Sequence, residues 1–163
     1  MTRQLLINGT ILAALGTGLI AGTFFAFSTF IMTALARLPA PQGIAAMQSI
    51  NITVITPLFM GVLFGTALLC VGLLATALSH WTDPGAAWVV TGGLLYVLGA
   101  ILVTILFNVP RNDALAALDP ASTEAAVLWA RYVTEWTLWN HVRGLASLAA
   151  CAAFIMALRA AAV

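Results

Sequence analysis

Eight consecutive residues, Trp136-Thr-Leu-Trp-Asn-His-Val-Arg143, bring together two tryptophans, an amide, an imidazole and a guanidinium. Glu135 precedes them, and an apolar run from Gly144 to Leu158 follows. Only 7% of the chain is charged. An arginine one turn inside an apolar stretch of membrane length is therefore a costly placement and a candidate functional group. At about 100° per helical residue, Tyr132, Trp136, Asn140, Arg143, Ser147 and Cys151 fall on one stripe, with Trp139 beside it. His141 points a quarter-turn or more away.

These residue types suit removal of a proton and stabilisation of the anion left behind. An imidazole accepts a proton at neutral pH, which makes His141 the candidate base. Arg143, Asn140 and Asn108 are donors that can hold an enolate oxygen in a low-dielectric site. Trp136, Trp139, Phe24 and Phe27 offer faces to a flat ring system. Asp113 or Glu135 would pair with Arg143 or orient His141. Gln48, Asn51 and Asn112 complete the polar lining.

The elements that must position these groups are membrane helices. The chain has 163 residues, 63% of them hydrophobic, and a mean hydropathy of +1.08. A soluble domain carries about 25% charged residues. Six arginines against five acids, with no lysine, leave a net charge of +1, which argues against a nucleic-acid partner. Cys70 and Cys151 lie in separate apolar runs without a CxxC spacing; they read as buried, inert thiols.

Four runs are long enough to span a core that takes about 20 helical residues to cross: Leu5–Leu35, Ile52–Leu78, Ala87–Phe107 and Leu138–Leu158. The first is about twice as long as a signal-peptide core and reads as a retained helix. Gly18/Gly22 and Gly61/Gly65 form GxxxG pairs, the pattern of close helix approach. Leu38–Gly43 breaks the first helix, and a half-polar segment, Ile44–Asn51, follows. Pro57 should kink the second span near Thr53. Trp81 and Trp88 flank a short turn as interfacial anchors.

After the third span, Val109 precedes a proline and is biased away from helix. Asn112 is then an N-cap for Asp113–Leu118, and Asp119 caps a helix with Pro120 in its first turn. Whether Pro120–Glu135 runs on into the fourth span is undecided. The expectation is an all-α protein: one domain over residues 1–163, a four-helix transmembrane bundle with short half-polar helices in its first and third connections.

With four spans, the first and third connections share a membrane face. Ser28, Thr29, Gln48, Asn51, Asn108, Arg111, Asn112, Asp113, Glu135, Asn140, His141 and Arg143 all fall there. The second connection offers His80, Thr82 and Asp83. This asymmetry predicts a polar site at one end. Three arginines on that side against two on the other leave the orientation open.

No metal motif is present. A non-haem iron triad needs two His and a carboxylate, yet His80 and His141 sit near opposite faces. A single-His haem or metal site with Glu135 or Asp113 stays open at this point. Mid-span positions carry only Thr, Ser, Tyr and Cys, which disfavours an ion path.

Four segments carry a resemblance: Phe24-Phe-Ala-Phe-Ser-Thr-Phe-Ile-Met32, Gly43-Ile-Ala-Ala-Met-Gln-Ser-Ile-Asn51, Asn108-Val-Pro-Arg-Asn-Asp-Ala-Leu115 and Trp136–Arg143. Together, over nearly the whole chain, they resemble the DUF1772 or anthrone oxygenase family of small four-helix membrane proteins. The resemblance implies a multi-pass protein, in this case of a bacterial inner membrane. It also implies oxidation of an anthrone-like or phenolic substrate, with molecular oxygen as co-substrate and no cofactor. The implied partners are the lipid bilayer and an apolar aromatic small molecule. The alternative is a non-catalytic membrane protein: a module binding lipid or a small apolar ligand, or an assembly subunit.

Overall fold

The structure is a computed structural model and describes residues 3–161. Four helices are long and apolar enough to cross a membrane: α1 (Arg3–Ala36), α3 (Pro57–Ser79), α4 (Ala86–Ala116) and α5 (Thr123–Ala161). A fifth helix, α2 (Ala40–Thr53), fills the first connection. The spans show no hydrophilic outer face. Leu15, Leu58, Leu68 and Leu145 stay exposed, as is stable only where lipid replaces water.

α1 packs along α5, α5 against α4, α4 against α3, and α3 closes the ring on α1. The core has two tiers. Ile20, Phe24, Leu63, Cys70, Tyr96 and Phe154 fill the membrane tier. Met32, Ile44, Met47, Leu115, Trp129 and Trp136 form a second tier at the end of the first and third connections. There α2 packs onto the outer ends of α4 and α5. That tier is why the connecting segments are ordered helices: their apolar faces have something to cover.

Several boundaries differ from the sequence reading. Pro57 does not kink a span. It opens α3 at the first helical position, where its missing N–H would have no partner, and the Thr56 hydroxyl accepts from Phe59 N at 3.2 Å. Val109-Pro110 does not end α4 either. The helix passes through two π-helical turns, Val97–Leu102 and Thr104–Asn108, the second ending just before the proline. Widened turns relax the i−4 geometry with which a proline ring collides. Arg111 Nη1 then donates to Phe107 O at 2.7 Å.

Asn112 therefore lies inside α4 and is no N-cap, and the half-polar segment of the third connection is the outer end of that helix. Ser122, not Asp119, caps α5, its Oγ accepting from Ala125 N at 3.1 Å. Asp119 folds the preceding turn by accepting from Ala121 N at 2.9 Å. α5 then runs unbroken for 39 residues, roughly 58 Å, straight through the Trp-rich stretch.

Of the paired glycines only Gly18 sits close to another helix, its Cβ position 3.3 Å from Cys151 Sγ on α5. A Cβ on Gly22, Gly61 or Gly65 would meet nothing within 4 Å. The tight approach of α1 to α3 is at Gly16, where a Cβ would strike the Thr66 hydroxyl. Gly85 opens α4 in the left-handed region at φ 88°, with its Cβ position 2.7 Å from Ala157 O.

Candidate functional site

Asn140 joins two spans. Its Nδ2 donates to Phe24 O and to Ser28 Oγ, both at 2.7 Å, tying α5 to α1 beside the π-helical turn Phe27–Ile31. Its Oδ1 accepts from Arg143 Nη2 at 2.6 Å. Arg143 Nη1 reaches α4 and donates to Thr104 Oγ1 at 3.2 Å. The guanidinium lies over two rings, 4.3 Å from the Phe24 centroid and 5.0 Å from the Trp136 centroid. Cation–π contact of this kind strengthens on desolvation.

Arg143 is 5% exposed and no carboxylate pairs with it among the described residues. Its Nε has no hydrogen-bond partner, nor has Ser147 Oγ one turn deeper. Orphaned buried polar atoms are rare in folded proteins. A buried cation with an unpartnered Nε, one turn from an unpartnered hydroxyl, marks this as the candidate site.

The acid expected for Arg143 is used elsewhere. Glu135 Oε2 accepts from Arg111 Nη2 at 2.8 Å and Nε at 3.0 Å, while Arg131 Nε lies 3.5 Å from Oε1. Asp113 is exposed. The amides are divided between the site and the scaffold. Asn112 Oδ1 accepts from Tyr132 Oη at 2.9 Å and Trp136 Nε1 at 2.8 Å, fixing the indole that faces Arg143. Asn108 Nδ2 donates to Trp136 O at 3.2 Å. Gln48 Nε2 caps the outer end of α4, donating to Leu115 O and Leu118 O. Asn51 is half-buried, and its Nδ2 has no partner.

Aromatic placement is split in the same way. Phe27 tilts against Trp136 with centroids 5.6 Å apart, at the edge of the site. Trp139 is stacked on Phe107 at 3.6 Å, and the rings under the guanidinium are those of Phe24 and Trp136.

The structure does not bring His141 to this cluster. Because α5 has no break, residues 141 and 143 stand about 160° apart around the axis. His141 is exposed and lines a groove of ≈ 570 Å³ between α1 and α5, with Met32, Ala36, Arg37, Thr134 and Thr137. A second groove, ≈ 860 Å³, lies at the opposite end beside Arg3, Leu73, His80, Asp83 and Leu158. Cys70 and Cys151 are free thiols. No group of three His, Cys, Asp or Glu gathers among the described residues.

The sequence places Ser28 at this end without a role and reads Thr104 only as a mid-span hydroxyl. Ser28 is 112 positions from its partner Asn140 and Thr104 is 39 from Arg143. No spacing rule links residues on different helices.

A family model described as anthrone oxygenase matches residues 51–153. This stretch includes Asn108, Asn112, Asn140 and Arg143. No curated protein and no solved structure matches the chain.

Proposed function

The chain belongs to the anthrone oxygenase family, and we propose that it oxygenates a flat, apolar, enolisable or phenolic substrate, with Arg143 holding the enolate oxygen. One observation carries this reading: a guanidinium buried to 5% exposure, between two aromatic rings, with no acid against it and a free Nε. Such a cation is ready to receive negative charge that develops in a reaction, and in low dielectric that interaction is strong.

A methylene beside a conjugated carbonyl loses a proton to give an enolate. Pairing the enolate oxygen with Arg143 lowers that barrier whichever base takes the proton. The carbanion's electron pair then forms a C–O bond to O₂, giving a hydroperoxide after protonation. Loss of water leaves a new carbonyl. One O₂ supplies all the oxidising equivalents, so no reductant enters the balance. Asn140 and Thr104 fix the guanidinium, Asn112 fixes Trp136, and Phe24 and Trp136 offer ring faces to a planar substrate. The proposed setting is a bacterial inner membrane, where such a substrate is concentrated by the bilayer.

The test is O₂ uptake by the protein purified in detergent, with a panel of anthrones and a metal assay of the same sample. Arg143→Gln should lower uptake about 10²-fold, with Arg143→Lys retaining part of it. Unchanged uptake in a folded Arg143→Gln protein would overturn the proposal. A second reading is favoured by how many site amides bond to the protein itself: a non-catalytic module that binds an apolar phenol. Saturable binding of the panel by the wild type without O₂ uptake would support it.

A further inference from the structure

Nine hydroxyls on the helices, Thr10, Thr17, Thr23, Thr29, Thr76, Ser79, Thr91, Thr104 and Thr134, donate to the carbonyl one turn back. That is the default for a hydroxyl in an apolar helix, because its own backbone offers the only acceptor. Two hydroxyls of α5 depart from it: Thr137, which lines the groove beside His141, and Ser147. Ser147 is 0% exposed, and its Oγ has no partner at all.

Ser147 sits four residues after Arg143, so the two side chains are neighbours on one helix face. Each carries an unmatched donor, Nε of Arg143 and Oγ of Ser147. The Arg143 cation is also unneutralised among the described residues. An isolated charge taken from water into a low-dielectric interior carries a penalty of several kcal/mol that only a counter-charge or its equivalent offsets. Phe24 and Trp136 offset part of it from the faces of the guanidinium, but neither can accept from Nε in the plane of the group. What is missing is an acceptor with negative charge, positioned in that plane and within reach of a serine hydroxyl.

The geometry points to a small monovalent anion, a halide or thiocyanate, bound between Arg143 Nε and Ser147 Oγ when no substrate is present. An organic enolate then binds by displacing it, so anions of this class are competitive with substrate. This inference rests on Arg143 being the anion-receptive group of the proposed site, but it does not require that the protein catalyse oxygenation. Ser147, which helical periodicity places on the Arg143 stripe, becomes a ligand of the resting site.

Purified protein in detergent, exchanged into a halide-free gluconate buffer, would be titrated with sodium iodide while tryptophan emission is followed. Trp136 is 5.0 Å from the guanidinium, so bound iodide quenches it by contact. The expected result is a saturable component above the linear collisional quenching of exposed tryptophans, reversed by added thiocyanate. Ser147→Ala should weaken that component about tenfold, the scale of one hydrogen bond to a charge. Arg143→Gln should abolish it, and Arg143→Lys, which keeps the charge without Nε, should weaken it. Arg159→Gln, at the far end of α5, should leave it unchanged. Strictly linear quenching in the wild type overturns the inference, as does a saturable component that Ser147→Ala and Arg143→Lys both leave intact. Saturable iodide binding without O₂ uptake on any anthrone would remove the oxygenase reading and keep the anion site. Uptake insensitive to iodide, with no saturable quenching, would do the reverse.

Discussion

Asn140 Oδ1 accepts from Arg143 Nη2 at 2.6 Å, one turn away on α5, while the Nδ2 of the same amide grips Phe24 O and Ser28 Oγ across the seam to α1. One side chain therefore both joins two spans and aims the buried cation. Asn140→Ala should cost about 1–2 kcal/mol of stability, measured as the shift in a detergent unfolding titration. Asn140→Asp should do something different: a carboxylate would pair with Arg143 and remove its readiness for an anionic ligand. The expected outcome is a protein at least as stable as the Ala variant but with oxygen uptake lowered at least as far. An Asp variant with wild-type uptake would refute the role assigned to the free cation.

The Glu135 pairs with Arg111 and Arg131 are of another kind. The Arg111 and Glu135 side chains are 26% and 39% exposed, and Arg131 is 73% exposed. Water and salt screen them, so Glu135→Gln should cost no more than about 1 kcal/mol. The loss should shrink further in high salt. Unfolding titrations at two ionic strengths check this, and a loss of several kcal/mol would place Glu135 in a more essential network.

Asn112 holds Tyr132 and Trp136 with a single oxygen. Asn112→Leu removes that acceptor and leaves a buried phenol and indole N–H without it, at about 1–3 kcal/mol. Trp136 emission should change position, because the indole loses its hydrogen bond next to a guanidinium. Emission spectra of the variant against Trp136→Phe isolate this component. Identical spectra for wild type and variant would contradict the contact.

Gly16 sets the distance between α1 and α3. Gly16→Ala places a methyl against the Thr66 hydroxyl and should destabilise the bundle by about 1–3 kcal/mol, the range for overpacking. Thr66→Ala in the same chain should recover most of it. Gly61→Ala, at a position open on all sides, should be neutral or slightly stabilising through its better helix propensity. A double-mutant cycle from thermal unfolding distinguishes these cases.

The residues by themselves determined the class of the protein and the end of the bundle that carries the polar groups. Apolar length fixes a spanning helix, because the bilayer demands that every backbone group be satisfied within it. Four spans fix which connections share a face. The Tyr132–Trp136–Asn140–Arg143–Ser147–Cys151 stripe follows from helical periodicity alone; its first five residues are buried, and Cys151, read from the sequence as a buried thiol, is only half-buried.

Tertiary structure decided what each polar group does. Pro110 looked like a helix end, but two π-helical turns before it let α4 continue, an accommodation that depends on packing against α5 rather than on local preference. The same continuity of α5 put His141 on an exposed face and left Arg143 inside. Glu135 turned to Arg111 on α4, 24 positions away, and not to Arg143, eight positions along its own helix, because eight helical residues separate two side chains by about 12 Å and roughly 80° of rotation. Periodicity reports a direction around one axis; which neighbour lies in that direction is settled only when the helices pack, and here that left the buried guanidinium of Arg143 without an acid.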